Sequence, residues 1–272
     1  MDGKTPTIVR VFSNNAVLAT LDGTEQVIVG RGVGFGRTAG DQIEDGSHRH
    51  YVEARADRLG FLQTLKDIPV QTLDVLAKAL DLATDMLGDL HPSVYIVLTD
   101  HLVFAIQRLE EGQVIHNTLK NEIEAVFPSE YVAAETVLNY INTNLGIELP
   151  EDEAAFIALH LNAARTGVTV KQPLERANAL AEVVGKIGAD FGIPNAPAGG
   201  LLRVLADTRQ RMQEANYRKN DATGAIYRSL PREVTVATQV IRNMLGTLEI
   251  PHEVKGEVAY LAVFLHGWRQ DH

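Results

Sequence analysis

Residues 153–161 read EAAFIALHL, and residues 257–265 read EVAYLAVFL. The second segment follows the first at an offset of 104 residues, and each ends a long block in which apolar side chains recur at spacings of three and four. Such spacing predicts amphipathic helices, and matching segments at a fixed offset indicate an internal repeat. The sequence therefore predicts two all-α helical-bundle domains, at residues 66–168 and 172–272.

The first helical block contains clear breaking signals. His91-Pro92 interrupts the first periodic run, and Ser93 can cap the helix that follows. Residues 166–169, Thr-Gly-Val-Thr, are typical of a linker. The acids at 151–153 most simply begin a helix, where the helix dipole favours negative charge. The periodicity predicts helices at 70–90, 93–111, 117–126, 129–145 and 151–165.

The first 55 or so residues have a different pattern, in which short β-rich runs alternate with turn signals. Asp22-Gly23, between two such runs, is a strong hairpin signal. The runs predict strands at 7–12, 16–21, 26–29 and 50–53. We therefore predict a small all-β antiparallel domain at residues 1–57, and a module of this size is often stabilised by a partner.

Composition limits the classes of function. Apolar residues make up 45% and charged residues 22%, which is ordinary for a globular protein. The net charge of −10 argues against a general coat of nucleic-acid-binding charge, but not against a small basic patch. The absence of cysteine excludes disulfides, thiolate metal ligands and cysteine nucleophiles. Because no apolar run is long enough for a membrane span or a signal peptide, we expect a cytoplasmic protein with no membrane partner.

Residues 30–36 read GRGVGFG and form the first candidate site. No crossover helix follows them, as a Rossmann fold requires, and no Gly-Lys-Ser/Thr marks a P-loop. Glycines let a backbone approach a ligand closely. Arg31 offers a planar donor fork and Phe35 a stacking surface, which suits RNA. The alternative is a surface β-turn with an incidental arginine.

Two histidines form the second candidate site. His101 and His160 lie mid-helix among apolar neighbours three and four residues away, and Phe264 takes the place of His160 in the repeat. Such histidines are most often satisfied core residues. The alternative is phosphorylation, because a neutral imidazole is nucleophilic and a phosphoryl group would reorganise a helix interface. No HxxxH pair is present, as a helical zinc site would require.

Several segments together resemble one family, the BglG/SacY-type transcriptional antiterminators of the bacterial sugar phosphotransferase system. Residues 9–20, VRVFSNNAVLAT, and 27–41, VIVGRGVGFGRTAGD, are similar to its RNA-binding (co-antiterminator, CAT) domain. Three further segments resemble its first phosphotransferase regulation domain (PRD): 94–112, VYIVLTDHLVFAIQRLEEG; 122–131, EIEAVFPSEY; and 146–164, GIELPEDEAAFIALHLNAA. Residues 172–272 resemble a second PRD more weakly.

The resemblance implies a function for the N-terminal module. It would form a homodimer that binds a hairpin in a nascent leader mRNA, and because that hairpin overlaps a terminator, binding would let the polymerase continue. The RNA contacts of the family would fall on residues whose amide, guanidinium and aromatic groups suit base edges, phosphates and stacking. These are Arg10, Asn15, Gly30, Arg31 and Phe35.

The resemblance also implies that His101 and His160 accept phosphoryl groups from the enzyme II B component of a sugar phosphotransferase system. Phosphorylation would report that the sugar is absent and would switch RNA binding off. The second PRD departs from the family pattern, which has two histidines phosphorylated by the phosphocarrier HPr. In their places the sequence alignment puts Asp207 and Phe264, with His266 nearby on another face.

This departure argues against regulation by HPr and leaves enzyme II as the main regulator. One interpretation of Asp207 is that it partly mimics a phosphorylated histidine, and the other is that it is a solvated surface acid. The sequence thus predicts an RNA-binding phosphoprotein that is not an enzyme and needs no cofactor. Two alternatives remain: a metal-dependent hydrolase using His101 and His160 with the acids near residue 151, and a structural or DNA-binding helical regulator.

Overall fold

The computed structural model describes residues 5–14, 16–29, 32–43, 50–52, 68–91, 93–113, 115–194 and 196–272. These residues form two compact units. One is built from the described parts of Met1–Lys120 and Phe127–Pro173, and the other from those of Asn121–Val126 and Leu174–His272. Each unit has its own buried core.

The N-terminal strands form an antiparallel sheet in the order β1-β2-β3-β4. They are β1 (Thr7–Ser13), β2 (Ala16–Leu21), β3 (Thr24–Val29) and β4 (His50–Val52). The predicted hairpin is confirmed, since Asp22 and Gly23 make the turn from β2 to β3 with φ values of 52° and 79°. Positive φ at both central residues matches the right-handed twist of the paired strands.

The buried face of this sheet is closed by residues that follow β3. Val17 of β2 pairs with Ile28 of β3, and both side chains are fully buried. Val33 and Ile43 lie beyond β3 and belong to the same apolar cluster. Val33 and Ile43 therefore anchor residues 32–43 to the core of the sheet. The cluster consists of Ile8, Val17, Ala19, Ile28, Val33 and Ile43.

The rest of the described chain is helical, as the periodicity predicts. Most helices of the first block lie within one or two residues of the predicted bounds. The first ends at Leu87, three residues early, and the third begins at Lys120, three residues late. Residues 121–126 of the third helix belong to the second unit. Among the residues the structure describes, no helix is long and apolar enough to cross a membrane. The α-helices are α1 (Val70–Leu87), α2 (Val94–Glu110), α3 (Lys120–Val126), α4 (Pro128–Leu145), α5 (Asp152–Thr166), α6 (Lys171–Phe191), α7 (Gly200–Gln213), α8 (Thr223–Ser229), α9 (Pro231–Leu245) and α10 (Lys255–Gln270), with a 3₁₀ turn at His252–Val254.

The helices α4 and α9 begin and end with the same signals. Pro128 and Pro231 stand at their starts, where the missing N–H costs nothing. Gly146 and Gly246 stand just past their ends, both in the left-handed conformation at φ 65°. The two helices have 18 and 15 residues, so the second copy has lost about one turn.

Candidate functional site

The glycine segment that follows β3 presents one aromatic ring to solvent. Within residues 32–37 the chain makes tight turns, in which the Phe35 N–H donates to the Gly32 carbonyl at 3.1 Å. Val33 is buried, with 3% of its surface exposed, whereas Phe35 is 72% exposed. Val33 therefore anchors the segment to the sheet core and leaves the Phe35 ring free to stack on a flat ligand.

The same segment is tied to the turn between β1 and β2. The Gly34 N–H donates a 2.9 Å hydrogen bond to the carbonyl of Asn14. This bond brings together the two stretches in which the predicted RNA contacts lie, and Asn14 itself is not among those predicted contacts. The interruption of the strand pattern at Asn14-Asn15 was its only sequence signal.

Of the predicted RNA contacts, the structure places Phe35 and Arg10. Arg10 lies on β1, opposite Leu18 of β2, and its side chain is partly buried. Asn15, Gly30 and Arg31 lie outside the described residues, and their roles stay predictions.

The two candidate histidines meet across a helix interface. His101 lies on α2 and His160 on α5, and the centroids of their rings are 5.0 Å apart. Phe156, one turn before His160, lies 5.8 Å from the His101 ring. The sequence predicted both residues but not their contact, because nothing in the local pattern fixes which helices pack together.

Burial keeps His160 uncharged. Desolvation is the larger cause, and repulsion by the charged form of His101 adds to it; together they lower the pKa of His160 from 6.5 to about 4. The imidazole is therefore neutral at pH 7 and keeps a nitrogen lone pair, which is the form that can act as a nucleophile.

A cavity of about 520 Å³ adjoins His160. Its walls come from α2, from α5, from the segment after α5 and from the first turn of α6, and include Val97, Ala163, Val168 and Gln172. The ring is mostly buried in the protein but borders this open space, so a small group could approach it without unfolding α5.

Glu153 contacts the His101 ring of the histidine pair. Its Oε2 lies 3.0 Å from Nε2 of His101, and its Oε1 accepts a hydrogen bond from Nη2 of Arg108 at 3.1 Å. Only 3% of the Glu153 side chain is exposed. From the sequence, Glu153 is most simply a helix-start acid. That interpretation is incomplete, since Glu153 joins α5 to two residues of α2.

The neighbouring acids remain at the surface in ordinary pairs. Asp152 lies 3.0 Å from His116, and Glu151 accepts a 2.9 Å hydrogen bond from Lys120. Within the described ranges, no group of three histidines or carboxylates is arranged to hold a metal ion.

The second unit repeats the carboxylate contacts of the first. Arg211 donates to Glu257 at 3.1 Å, as Arg108 does to Glu153. The repeat extends to the carboxylate on the preceding helix. In the first unit Glu130 binds Asn162 and Arg165, and in the second Glu233 binds His266 and Arg269.

These pairs set the register of the repeat at offsets of 103 to 104 residues. An offset of 103, given by Arg108 and Arg211, aligns His101 with Val204. The predicted alignment, which put Asp207 in that place, differs by three residues; Asp207 aligns with Phe104 and its side chain is exposed. Phe264 aligns with His160 as predicted.

In the first unit His101 contacts the carboxylate of Glu153, whereas in the second unit a permanently charged side chain, Arg218, contacts the carboxylate of Glu257. The carboxylate of Glu257, with 0% exposure, receives two hydrogen bonds from the Arg218 guanidinium at its Oε2, 3.1 and 2.8 Å long, besides the bond from Arg211. Burial raises the pKa of the Glu257 carboxyl, but the hydrogen bonds from Arg218 and Arg211 outweigh it and hold this pKa below 4.5. This carboxylate is therefore always ionised and always paired at neutral pH.

The fold and the sites together define a class of protein: a small antiparallel sheet with an exposed aromatic tip, followed by helices that hold a half-buried histidine pair. Residues 7–50 match the CAT RNA binding domain family and residues 80–164 the PRD domain family. The chain is 33% identical over 181 residues to the beta-glucoside operon antiterminator of Dickeya chrysanthemi, covering 65% of this chain and 64% of that protein. It is 30% identical over 198 residues to the transcription antiterminator LicT of Bacillus subtilis, covering 68% of this chain and 69% of LicT.

The chain therefore belongs to the family of transcription antiterminators that carry a CAT RNA binding domain and a PRD domain, as the resemblance predicted. The match spans about two thirds of the length of these relatives. A solved structure described as GlcT CAT-PRDI is 31% identical, with a TM-score of 0.46, and the match covers 60% of this chain and 99% of that one.

Proposed function

We propose that this chain is an RNA-binding transcriptional antiterminator controlled by histidine phosphorylation. The N-terminal sheet, acting as a homodimer, binds a hairpin in a leader mRNA and prevents termination. Phosphoryl groups on His101 and His160, donated by the enzyme II B component of a sugar phosphotransferase system, switch this activity off. Because the ligand is a nascent transcript, the protein acts in the cytoplasm, where that transcript is made.

The observation that carries the proposal is the arrangement of His101 and His160 within a PRD-matching segment. The two rings are in contact at a helix interface, with a cavity beside His160 and a neutral imidazole there. A charge of up to about −2 added at this interface cannot stay without partners, so the helices must rearrange. In this scheme the histidines accept phosphoryl groups without catalysing a reaction.

We further propose that residues 172–272 form a second PRD that has lost both phosphorylation sites. The repeated ion pairs support a common architecture, and the aligned positions hold Val204 and Phe264 in place of histidines. Neither side chain has a nitrogen that could accept a phosphoryl group, so HPr has no acceptor at either position.

RNA binding by the full chain tests the first part of the proposal. The probe is a hairpin that overlaps a terminator upstream of a phosphotransferase permease gene in the same genome, compared with a shuffled hairpin and with duplex DNA. We expect selective binding of the hairpin, and a loss of about 1–3 kcal/mol in Phe35→Ala, because the exposed ring stacks on an unpaired base. Leu248→Ala is the control, since Leu248 is 88% exposed and lies in the second unit. Equal affinity for all three nucleic acids would refute RNA recognition.

Phosphorylation tests the second part. The full chain is incubated with phosphorylated enzyme II B protein or with phosphorylated HPr, and the label is located by mass spectrometry of peptides. We expect enzyme II-dependent label on His101 and His160. Label from HPr within residues 172–272 would contradict the proposed loss of sites in the second unit.

A further inference from the structure

The contacts of His101 in the described state are incompatible with its phosphorylation. Nε2 of His101 lies 3.0 Å from Oε2 of Glu153, which is 3% exposed. A phosphorus atom bonded to Nε2 would take the space of this oxygen, since a covalent bond is much shorter than 3.0 Å. A phosphoryl group on Nδ1 would sit on the same small ring and bring its charge close to the same carboxylate. A phosphoryl group on Nε2 therefore breaks the contact with Glu153, whereas one on Nδ1 brings a dianion close to a buried anion and weakens that contact.

Arg108 is the cation that already lies at this place. It is seven residues after His101 on α2, two helical turns along nearly the same face, and its side chain is 12% exposed. Nη2 donates to Glu153, whereas Nε has no hydrogen-bond acceptor among the described residues. A guanidinium with an unused N–H can bind two oxygens of a phosphoryl group in a fork.

We infer that Arg108 binds the phosphoryl group of phosphorylated His101 and releases Glu153 to do so. This inference rests on the proposed function, since it needs His101 to be phosphorylated. In the transfer step a ring nitrogen of His101 uses its lone pair to form the N–P bond. The bond from phosphorus to the donor breaks and its electron pair leaves with the donor. Arg108 takes no part in bond making and acts as a positioning residue that neutralises the transferred charge.

The exchange leaves Glu153 without its two partners in a buried position. An uncompensated buried carboxylate is strongly unfavourable, so α5 must move to give it water or another partner. The inference thus connects the added phosphoryl group to a displacement between α2 and α5.

The second unit provides an internal comparison, because it has the same arginine–glutamate ion pair without a histidine at the aligned position. Arg211 and Glu257 repeat the pair, Val204 replaces His101, and Arg218 supplies a permanent third partner. The pair Arg211–Glu257 can therefore contribute only to stability. A change seen on losing Arg108 but not on losing Arg211 therefore cannot come from loss of an ion pair alone and is specific to phosphorylation.

The experiment uses the full chain, phosphorylated with potassium phosphoramidate, which transfers its phosphoryl group to histidine and releases ammonia. ³¹P NMR spectra are recorded from pH 6 to pH 9, and the resonance missing from His101→Ala is assigned to residue 101. We expect the second ionisation of this phosphoryl group to move upward by about one pH unit in Arg108→Gln, because the nearby cation favours the dianion. Arg211→Gln should keep the wild-type midpoint, although both variants lose a similar ion pair and melt at lower temperature.

An unchanged midpoint in Arg108→Gln overturns the inference. Should that variant fail to fold, the Nε–H resonance of Arg108 in the wild-type chain decides, assigned by its loss in Arg108→Lys. The Nε–H resonance of Arg108 should shift on phosphorylation, whereas the Nε–H resonance of Arg211 should not. An Arg108 resonance that does not shift overturns the inference. If residue 101 of the wild-type chain is not phosphorylated at all, the proposed function fails as well. This outcome differs from one in which residue 101 is phosphorylated but the titration midpoint of its phosphoryl group is the same in Arg108→Gln.

Discussion

The imidazole rings of His101 and His160 lie with their centroids 5.0 Å apart, one from α2 and one from α5. At this distance a charge on either ring acts directly on the other, and the interior surroundings screen it less than water would. A charge on His101 therefore lowers the pKa of His160, and under the proposed function a phosphoryl group on one ring would oppose a second one on the other.

Acid should destabilise the first unit through His160. Because the folded-state pKa of His160 is about 4 and its unfolded value 6.5, the unfolded chain binds more protons between these values. Stability is thus fully present above pH 6.5 and is lost as the pH falls towards 4. We expect a loss of about 2 kcal/mol from this residue between pH 7.5 and pH 5, measured by urea unfolding followed by circular dichroism.

His160→Phe is the matched variant for this prediction, because the repeat itself has Phe264 at that position. The variant should lose about 2 kcal/mol less than the wild type over the same pH interval. Equal acid sensitivity in the two chains would show that His160 is not the titrating group.

Double phosphorylation should be rare. Two phosphoryl groups on rings 5.0 Å apart repel each other, and the described contacts offer only Arg108 as a paired cation beside them. We expect the doubly labelled species in intact-mass spectra to be at least about tenfold below the product of the two single occupancies. A doubly labelled population equal to that product would show that the sites are independent.

A permanent negative charge at residue 101 should mimic the switched-off state. In His101→Asp a carboxylate faces Glu153 at the place of the imidazole, so two anions share one site and the α2–α5 interface is perturbed. We expect terminator read-through in a leader-reporter assay to fall several-fold, with the chain still folded by circular dichroism.

Asp207→Asn separates this effect from the interpretation of Asp207 as a phosphohistidine mimic. Asp207 is exposed and three residues away from the position that matches His101. We expect read-through equal to that of the wild type. A change in read-through would restore the mimic interpretation.

Glu257 should be important for stability and not for regulation. Glu257 is fully buried, and removing its charge in Glu257→Gln leaves Arg211 and the partly exposed Arg218 without their shared anionic partner. We expect a loss of about 1–3 kcal/mol in the unfolding free energy of the second unit, since water can partly solvate the two cations. Chemical denaturation at pH 7 measures it, with Glu214→Gln as the control, because Glu214 lies just past the end of α7, is exposed, and accepts a side-chain hydrogen bond from Gln210. A change below about 0.5 kcal/mol in both variants would contradict a stabilising role.

The stability from Glu257 also has a defined pH dependence. Its folded-state pKa lies below 4.5, so its contribution is present above pH 4.5 and is lost as the pH falls further. The acid sensitivity of Glu257 therefore begins where most of that of His160 has already developed, and a parallel titration of His160→Phe separates the two.

The strands and helices were predictable because their signals are local. The alternation and the Asp22-Gly23 turn predict β2 and β3, and apolar spacing with His91-Pro92 predicts the boundary between α1 and α2. The aromatic tip at Phe35 was also correctly expected to be available, since glycines on both sides rule out a strand interior.

The role of Glu153 was not predictable, since its partners Arg108 and His101 lie 45 and 52 residues away in the chain. An acid at a helix start has a sufficient local explanation, so its sequence context gives no reason to look further. The repeat was the one available signal, because Glu257 begins the matching segment in the second half.

The register of the second unit could not be chosen from periodicity for a related reason. A slip of three residues turns a helix by about 300°, which leaves the apolar face nearly in place. Val204 and Asp207 therefore fit the pattern almost equally well, and the contact between Arg211 and Glu257 is what selects Val204.

The amino-acid sequence by itself determined the order of the elements, the repeat and the two histidines, because each depends on neighbours within a few residues. Only the tertiary structure decided that these histidines touch, that Glu153 and Arg108 complete their site, and that Arg218 takes the matching place in the second unit. Those contacts join residues far apart in the chain, and they exist only because packing of the helices brings particular faces together.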